Sequence, residues 1–198
     1  LSNLQLALEA VRSAGLEPGH PFYEKALAFV SRCQDGEGND RGWAQGGGGF
    51  VYTPVGLDKS GDEKQPDPYG AMSFAGLKSL LFCELSPDDP RVLEVQGWIS
   101  RNFKVDEHPG RGQASVFYYH LNVAKALDAA GQETLELASG GNVRWKESLG
   151  MELLARQRED GSWINPERKY MEGLPVLASA YALQALKICA KTEDESSE

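Results

Sequence analysis

Apolar residues recur at helical spacing along most of the chain, and they fall into two alternating kinds of segment. Leu8-Glu-Ala-Val-Arg-Ser-Ala-Gly15, Leu77-Lys-Ser-Leu-Leu-Phe-Cys-Glu84, Ala124-Lys-Ala-Leu-Asp-Ala-Ala-Gly131 and Leu183-Gln-Ala-Leu-Lys-Ile-Cys-Ala190 read as four copies of one element. They are rich in Ala, Gly and Ser and apolar around much of their circumference, which predicts inner helices buried on most sides. A second series covers 21–34, 89–103 and 143–158. It carries more charge, as at Arg144, Lys146, Glu147, Glu152 and Arg156, and predicts amphipathic outer helices. The two series share a frame. Leu16-Glu-Pro-Gly-His-Pro21 falls on Leu85-Ser-Pro-Asp-Asp-Pro90, 69 positions later, and Phe29-Val-Ser-Arg32 falls on Trp98-Ile-Ser-Arg101. Repeated alternation of inner and outer helices predicts an all-α array of helical hairpins, a partial α/α toroid over residues 1–191. The acidic residues 192–198 predict a disordered tail.

The connections are unequal. Turns from inner to outer helices are mostly short, marked by Gly15 with Pro18 and by Ser86-Pro87. Connections from outer to inner helices, at 35–68, 104–112 and 159–173, are long and rich in Gly, Pro and aromatics. Helices that alternate in direction bring these loops to one end, where loops on a rigid scaffold carry function. Phe50–Thr53 is the one short strand candidate, and 56–68 reads as polar and mobile.

The outer helix at 143–158 runs into Gln157-Arg-Glu-Asp-Gly161-Ser-Trp163. This resembles the QW motif, Q-x-x-x-G-x-W, of squalene and oxidosqualene cyclases. A degenerate copy follows the first outer helix as Gln34-Asp-Gly36 and then Gly42-Trp43, with longer spacing. The second outer helix ends in Asn102-Phe103 and has no Gln. The likeness extends to uncharacterised bacterial prenyltransferase/squalene-oxidase repeat proteins through Leu1-Ser-Asn, Ser31-Arg-Cys-Gln34, Gly49-Phe-Val-Tyr-Thr-Pro54, Tyr69-Gly-Ala-Met-Ser-Phe-Ala-Gly-Leu-Lys78, Gly110-Arg-Gly-Gln113, Phe117-Tyr-Tyr-His120 and Arg158–Trp163. It implies the toroid fold, with Gln157 capping a helix end, Gly161 allowing a tight turn and Trp163 anchoring the hairpin. It implies no established reaction.

Several chemistries of that superfamily lack their residues here. No D-x-D-D proton-donor motif occurs. Asp88-Asp89 lies between two prolines and reads as a turn and a helix N-cap. The zinc of protein prenyltransferases uses Asp, Cys and His, whereas His20, His108 and His120 show no ligand spacing with one another or with a cysteine. Only tertiary assembly could bring Cys83 to His120. Gly46–Gly49 lacks the Lys and Ser/Thr of a phosphate loop. No cofactor or metal is expected.

Charge and length narrow the partners. The chain has 29 Asp+Glu against 20 Lys+Arg, which argues against nucleic acid and against anionic membranes. No run reaches the ~18 apolar residues of a membrane span. Its three cysteines, Cys33, Cys83 and Cys189, form no CxxC pair and lean towards a reducing compartment. The chain opens inside a helical pattern without a methionine, which points to processing or N-terminal trimming and could hide an export signal. Three hairpins and one inner helix are too few to close a ring, so a missing N-terminal half or a homo-oligomer is expected.

The candidate site is aromatic. Tyr118, Tyr119, His120 and Asn122 follow Gly110-Arg-Gly-Gln113 at the start of an inner helix. Tyr69 and Phe74 open the inner helix before it, and Tyr170, Glu172 and Tyr181 belong to the last loop and inner helix. Facing a concavity, these residues would hold a hydrophobic, isoprenoid-like small molecule or stabilise a carbocation. His120 with a Tyr could serve as base and acid. The expectation is therefore a repeat domain that binds a hydrophobic ligand or a protein partner. The alternatives are an isoprenoid-handling enzyme with catalytic residues in a missing N-terminal part, and a toroid polysaccharide lyase using Tyr119, His120 and Asn122.

Overall fold

A computed structural model describes residues 1–54 and 66–191. The expected tail, 192–198, and most of the expected mobile segment lie outside the described residues. The chain falls into two compact units, Leu1–Asn102 and Phe103 onward.

The first unit contains α1 (Ser2–Ser13), α2 (Pro21–Arg32), α3 (Gly70–Phe82) and α4 (Pro90–Asn102). The turn signals act as expected. Gly15 takes φ +76°, and Leu16 N–H returns to the Val11 carbonyl, so orphan carbonyls at the end of α1 are satisfied. His20 caps α2 by accepting the Phe22 N–H at Nδ1, ahead of Pro21 at the first helical position. Asp89 accepts the Arg91 N–H at 3.0 Å and so starts α4 as an N-cap. α3 is buried from Gly70 to Leu80 and packs on α1, α2 and α4. Small residues make this possible: a Cβ at Gly76 would sit 2.4 Å from the Phe50 ring.

The second unit contains α5 (Val116–Ala129), the hairpin β1 (Thr134–Glu136) and β2 (Asn142–Arg144), α6 (Trp145–Ala155), a 3-10 turn at Lys169–Met171, and α7 (Pro175–Cys189). β1 and β2 pair antiparallel with Leu135 opposite Val143. α7 packs on α5 and α6. Trp145 is buried at the start of α6 and donates its indole N–H to the Gln132 carbonyl.

Among the described residues seven helices thus stand where two series were expected, and α2, α4 and α6 each bury one stripe. These stripes are Tyr23, Ala26 and Val30 in α2, Val92, Val95, Trp98 and Ile99 in α4, and Trp145, Leu149 and Leu153 in α6. Three expectations need correction. α1 buries only Gln5 and Leu8, and α7 only Ala178, Ala182 and Ala185, because neither is surrounded by other helices as α3 is. Residues 142–144 form a strand rather than the start of an outer helix, because Gly140 and Gly141, at φ +93° and +91°, close a hairpin. Phe50 forms an isolated bridge with Gln34 and no strand.

Candidate functional site

A turn motif recurs in both units. In the second unit the Arg158 N–H donates to the Ser162 carbonyl, and the Gly161 N–H returns to the Arg158 carbonyl. Gly161 has φ +80°, and the Gln157 amide donates to the Gly161 carbonyl at 2.9 Å. The Trp163 N–H then reaches Ser179 Oγ in α7 at 3.0 Å. In the first unit the same bonds join Asp35 to Gly49, Gly48 to Asp35, Gln34 to the Gly48 carbonyl and the Phe50 N–H to Ser73 Oγ in α3. Gly48 has φ +84°. The degenerate copy of the Gln157 motif is therefore Gln34, Gly48 and Phe50, not Gln34 with Gly36 and Gly42-Trp43. The helix-capping role also moves. Trp163 is 2% exposed and donates its indole N–H to the Leu153 carbonyl at 2.7 Å, so the tryptophan caps α6, while Gln157 closes the turn. The ring closes a third time, from the His108 N–H to the Gly112 carbonyl and from Arg111 N–H to the His108 carbonyl.

The glycine-rich run is explained by close packing. A Cβ at Gly48 would lie 2.1 Å from the Glu94 carbonyl oxygen, and one at Gly49 would lie 2.5 Å from the Trp98 indole nitrogen.

The residues expected to carry chemistry lie mainly at the start of α5. Tyr119 is fully buried and its hydroxyl donates to the Lys104 carbonyl at 2.7 Å. Burial raises its pKa far above the ordinary tyrosine range. His120 is fully buried, and its Nε2 lies 2.8 Å from the Val105 carbonyl. A carbonyl only accepts, so Nε2 carries the proton; Nδ1 is then an acceptor with no hydrogen-bond partner among the described residues. Burial lowers the His120 pKa to about 3 and that of His108 to about 4. His108 stacks on Tyr119 with ring centroids 4.9 Å apart and donates from Nδ1 to the Ala114 carbonyl at 2.8 Å. Asn122 donates to the Tyr118 carbonyl one turn back.

Two further polar residues join them, Glu172, which the sequence placed in the last loop, and Asn165, which it did not single out. The Glu172 carboxylate, fully buried, accepts the N–H groups of Phe117 and Tyr118, at 3.3 and 2.7 Å, and an amide hydrogen of Asn165 at 2.8 Å. It caps the start of α5 from the loop between α6 and α7. Burial raises its pKa, opposed by the hydrogen bonds from Asn165, Tyr118 and Phe117. Asn165 also donates to the Gln113 carbonyl. Asn165-Pro166 was readable as a turn signal, but nothing in the sequence pairs Glu172 with a helix 55 residues earlier.

The structure brings Tyr118 and Tyr181 together, half-buried, with centroids 5.6 Å apart. Tyr170 is exposed, with φ +61° and the Lys169 ammonium 5.4 Å from its ring. Met171, Leu174 and Val176 are exposed beside it along the chain. Tyr69 and Phe74 belong to the first unit, Tyr69 half-buried at the start of α3 and Phe74 fully buried within it. Cys83 and His120 lie in different units, and among the described residues no three His, Cys, Asp or Glu side chains are grouped to hold a metal. No helix of the described residues is long and apolar enough to cross a membrane. What this geometry offers is the Tyr118–Tyr181 ring pair and, in and just after the loop before α7, exposed aromatic and aliphatic side chains. No protein-family model, curated protein or solved structure matches the chain.

Proposed function

We propose that this chain is a binding domain of the squalene cyclase/prenyltransferase repeat kind, part of an α/α toroid, that holds an apolar, isoprenoid-like ligand or a protein partner. The observation carrying this reading is the state of its polar groups. Tyr119, His120, His108 and Asn122 are all bound to main-chain carbonyls inside the second unit. The neighbouring surface is aromatic and aliphatic, with Tyr118 against Tyr181 and exposed Tyr170, Met171, Leu174 and Val176. Aromatic pairs of this kind bind apolar ligands by contact area. The alternation of buried and one-faced helices and the repeated Gln-Gly-aromatic turn support the toroid.

Titration with a fluorescent farnesyl-type probe tests the ligand. Saturable uptake is expected, weakened about tenfold by Tyr181→Ala, which corresponds to ~1.4 kcal/mol. A wild-type protein that takes up no probe, and from which organic extraction releases no apolar molecule, discards the ligand reading.

A further inference from the structure

Glu172 is an ionised carboxylate buried without a cation beside it. Its Oε1 receives the Tyr118 N–H at 2.7 Å, and its Oε2 receives the Phe117 N–H and the Asn165 amide. A protonated carboxyl would set a donor against one of those donors, so the bonds hold Glu172 as the anion. Burial and hydrogen bonds, the Val116 N–H among them, act on this carboxylate, and no Lys or Arg charge joins them. The start of α5 supplies about half a unit of positive charge, which leaves the place net negative. The carboxylate is also held still. The Asn165 N–H bonds the Glu172 carbonyl at 3.0 Å and closes a loop in which Tyr170 and Met171 take left-handed φ of +61° and +67°. Strain of that kind persists only where the surrounding contacts over-determine it.

Two electron-rich rings stand near this charge. Tyr118 holds the carboxylate with its own main-chain N–H. Burial raises the Tyr181 pKa, and the charges of Tyr118 and Glu172 raise it further, so the carboxylate lies within electrostatic reach of that ring. Both rings are half-buried and tilted by 56°, with centroids 5.6 Å apart, so one cation can lie within ~6 Å of both. Elsewhere the chain's own cations occupy its rings. Lys169 lies 5.4 Å from the Tyr170 centroid, Arg12 lies 5.0 Å from that of Phe82, and Lys146 lies 5.9 Å from that of Trp145. Among the described residues no cation lies over Tyr181.

We propose that Tyr118, Tyr181 and Glu172 form a binding site for a quaternary ammonium group, such as the trimethylammonium head of choline. Such a group spreads its charge over methyls. Ring faces attract it, the buried carboxylate attracts it through space, and it asks for no hydrogen-bond acceptor. A primary ammonium or a guanidinium fits less well, because its N–H groups need acceptors and N–H donors already occupy the Glu172 oxygens. The inference shares the ring pair with the reading above and stands without an apolar ligand.

The probe is choline, titrated into the whole chain and followed by calorimetry, beside dimethylbutanol, its neutral isostere. Saturable choline binding is expected, with the alcohol at least about tenfold weaker because it lacks the charge. Tyr181→Leu keeps apolar bulk without a ring and should weaken choline binding about tenfold, and Tyr181→Phe, which restores the ring, should recover it. Glu172→Gln should weaken it at least as much. If loss of the cap unfolds that variant, the two substitutions at half-buried Tyr181 decide. No saturable choline binding, equal binding of the alcohol, or equal binding by Tyr181→Leu and Tyr181→Phe overturns the proposal. Choline binding together with pelleting by phosphatidylcholine vesicles assigns the group to a lipid head, and choline binding without pelleting assigns it to a free solute; both support the site. The farnesyl probe carries no ammonium group, so its uptake is read independently and either idea can fail alone.

Discussion

The turn after α2 and the turn after α6 make the same hydrogen bonds with different parts. In the second unit, Gln157 and the glycine whose carbonyl it bonds are four positions apart; in the first, Gln34 and its glycine are fourteen apart. The extra residues are not idle. The Phe50 ring has no N–H with which to cap α2 as the Trp163 indole caps α6, and Asn39, inside the insertion, donates its amide to the Arg32 and Gln34 carbonyls instead. Asp35 gathers the same insertion by accepting the Gln45 and Gly47 N–H groups. The backbone geometry of the turn is thus conserved between the units, while the atoms that satisfy the helix end are interchangeable. What matters physically is that orphan carbonyls find a donor, whichever residue supplies it.

Replacing the aromatic residue tests this most severely. Trp163→Ala should cost ~3–5 kcal/mol, through the cavity and the lost bond to Leu153, read as a lower urea midpoint. An unchanged midpoint would remove the anchoring role. Acid separates the units next. His108 and His120 are buried with pKa values lowered to about 4 and about 3, while His20 in the first unit is exposed. A lowered folded pKa means the unfolded chain binds the proton first, so stability is full above pH ~6.5 and falls as pH drops towards 4. For His108 the loss is on the order of 3 kcal/mol. Single-tryptophan variants retaining Trp145 or Trp98 can follow each unit, and a Trp98 signal that falls with the same slope would contradict this assignment.

The glycines give an intermediate effect. Gly48→Ala meets both a left-handed φ and the Glu94 carbonyl oxygen, and should cost roughly 3 kcal/mol. Gly161→Ala meets the same φ with open space and should cost about 1–2 kcal/mol. Equal midpoints for the two variants would show that the packing against α4 is not felt. The glutamines should differ least in absolute terms. Gln34→Ala strips donors from the Gly48 and Arg91 carbonyls at a buried site, costing ~1–3 kcal/mol, while exposed Gln157→Ala should stay within ~0.5 kcal/mol. A Gln157→Ala loss as large as that of Gln34→Ala would show that the difference in burial between the two turns does not set the cost.

The sequence by itself determined the mostly helical make-up of the described residues, the cap at Asp89 and the Gln157–Trp163 turn. These depend on periodicity and on contacts a few residues apart, which leave a local imprint. Tertiary structure alone decided four things. It matched Phe50 rather than Trp43 to Trp163, because an insertion erases spacing but not hydrogen-bond geometry. It closed the β1–β2 hairpin through two left-handed glycines. It set the Glu172 carboxylate on the start of α5, a contact between residues far apart in the chain. And it buried α3 on all sides while leaving Leu183 and Val176 of α7 open, although both helices read as equally apolar, because burial depends on which neighbours surround a helix as well as on the helix's own residues.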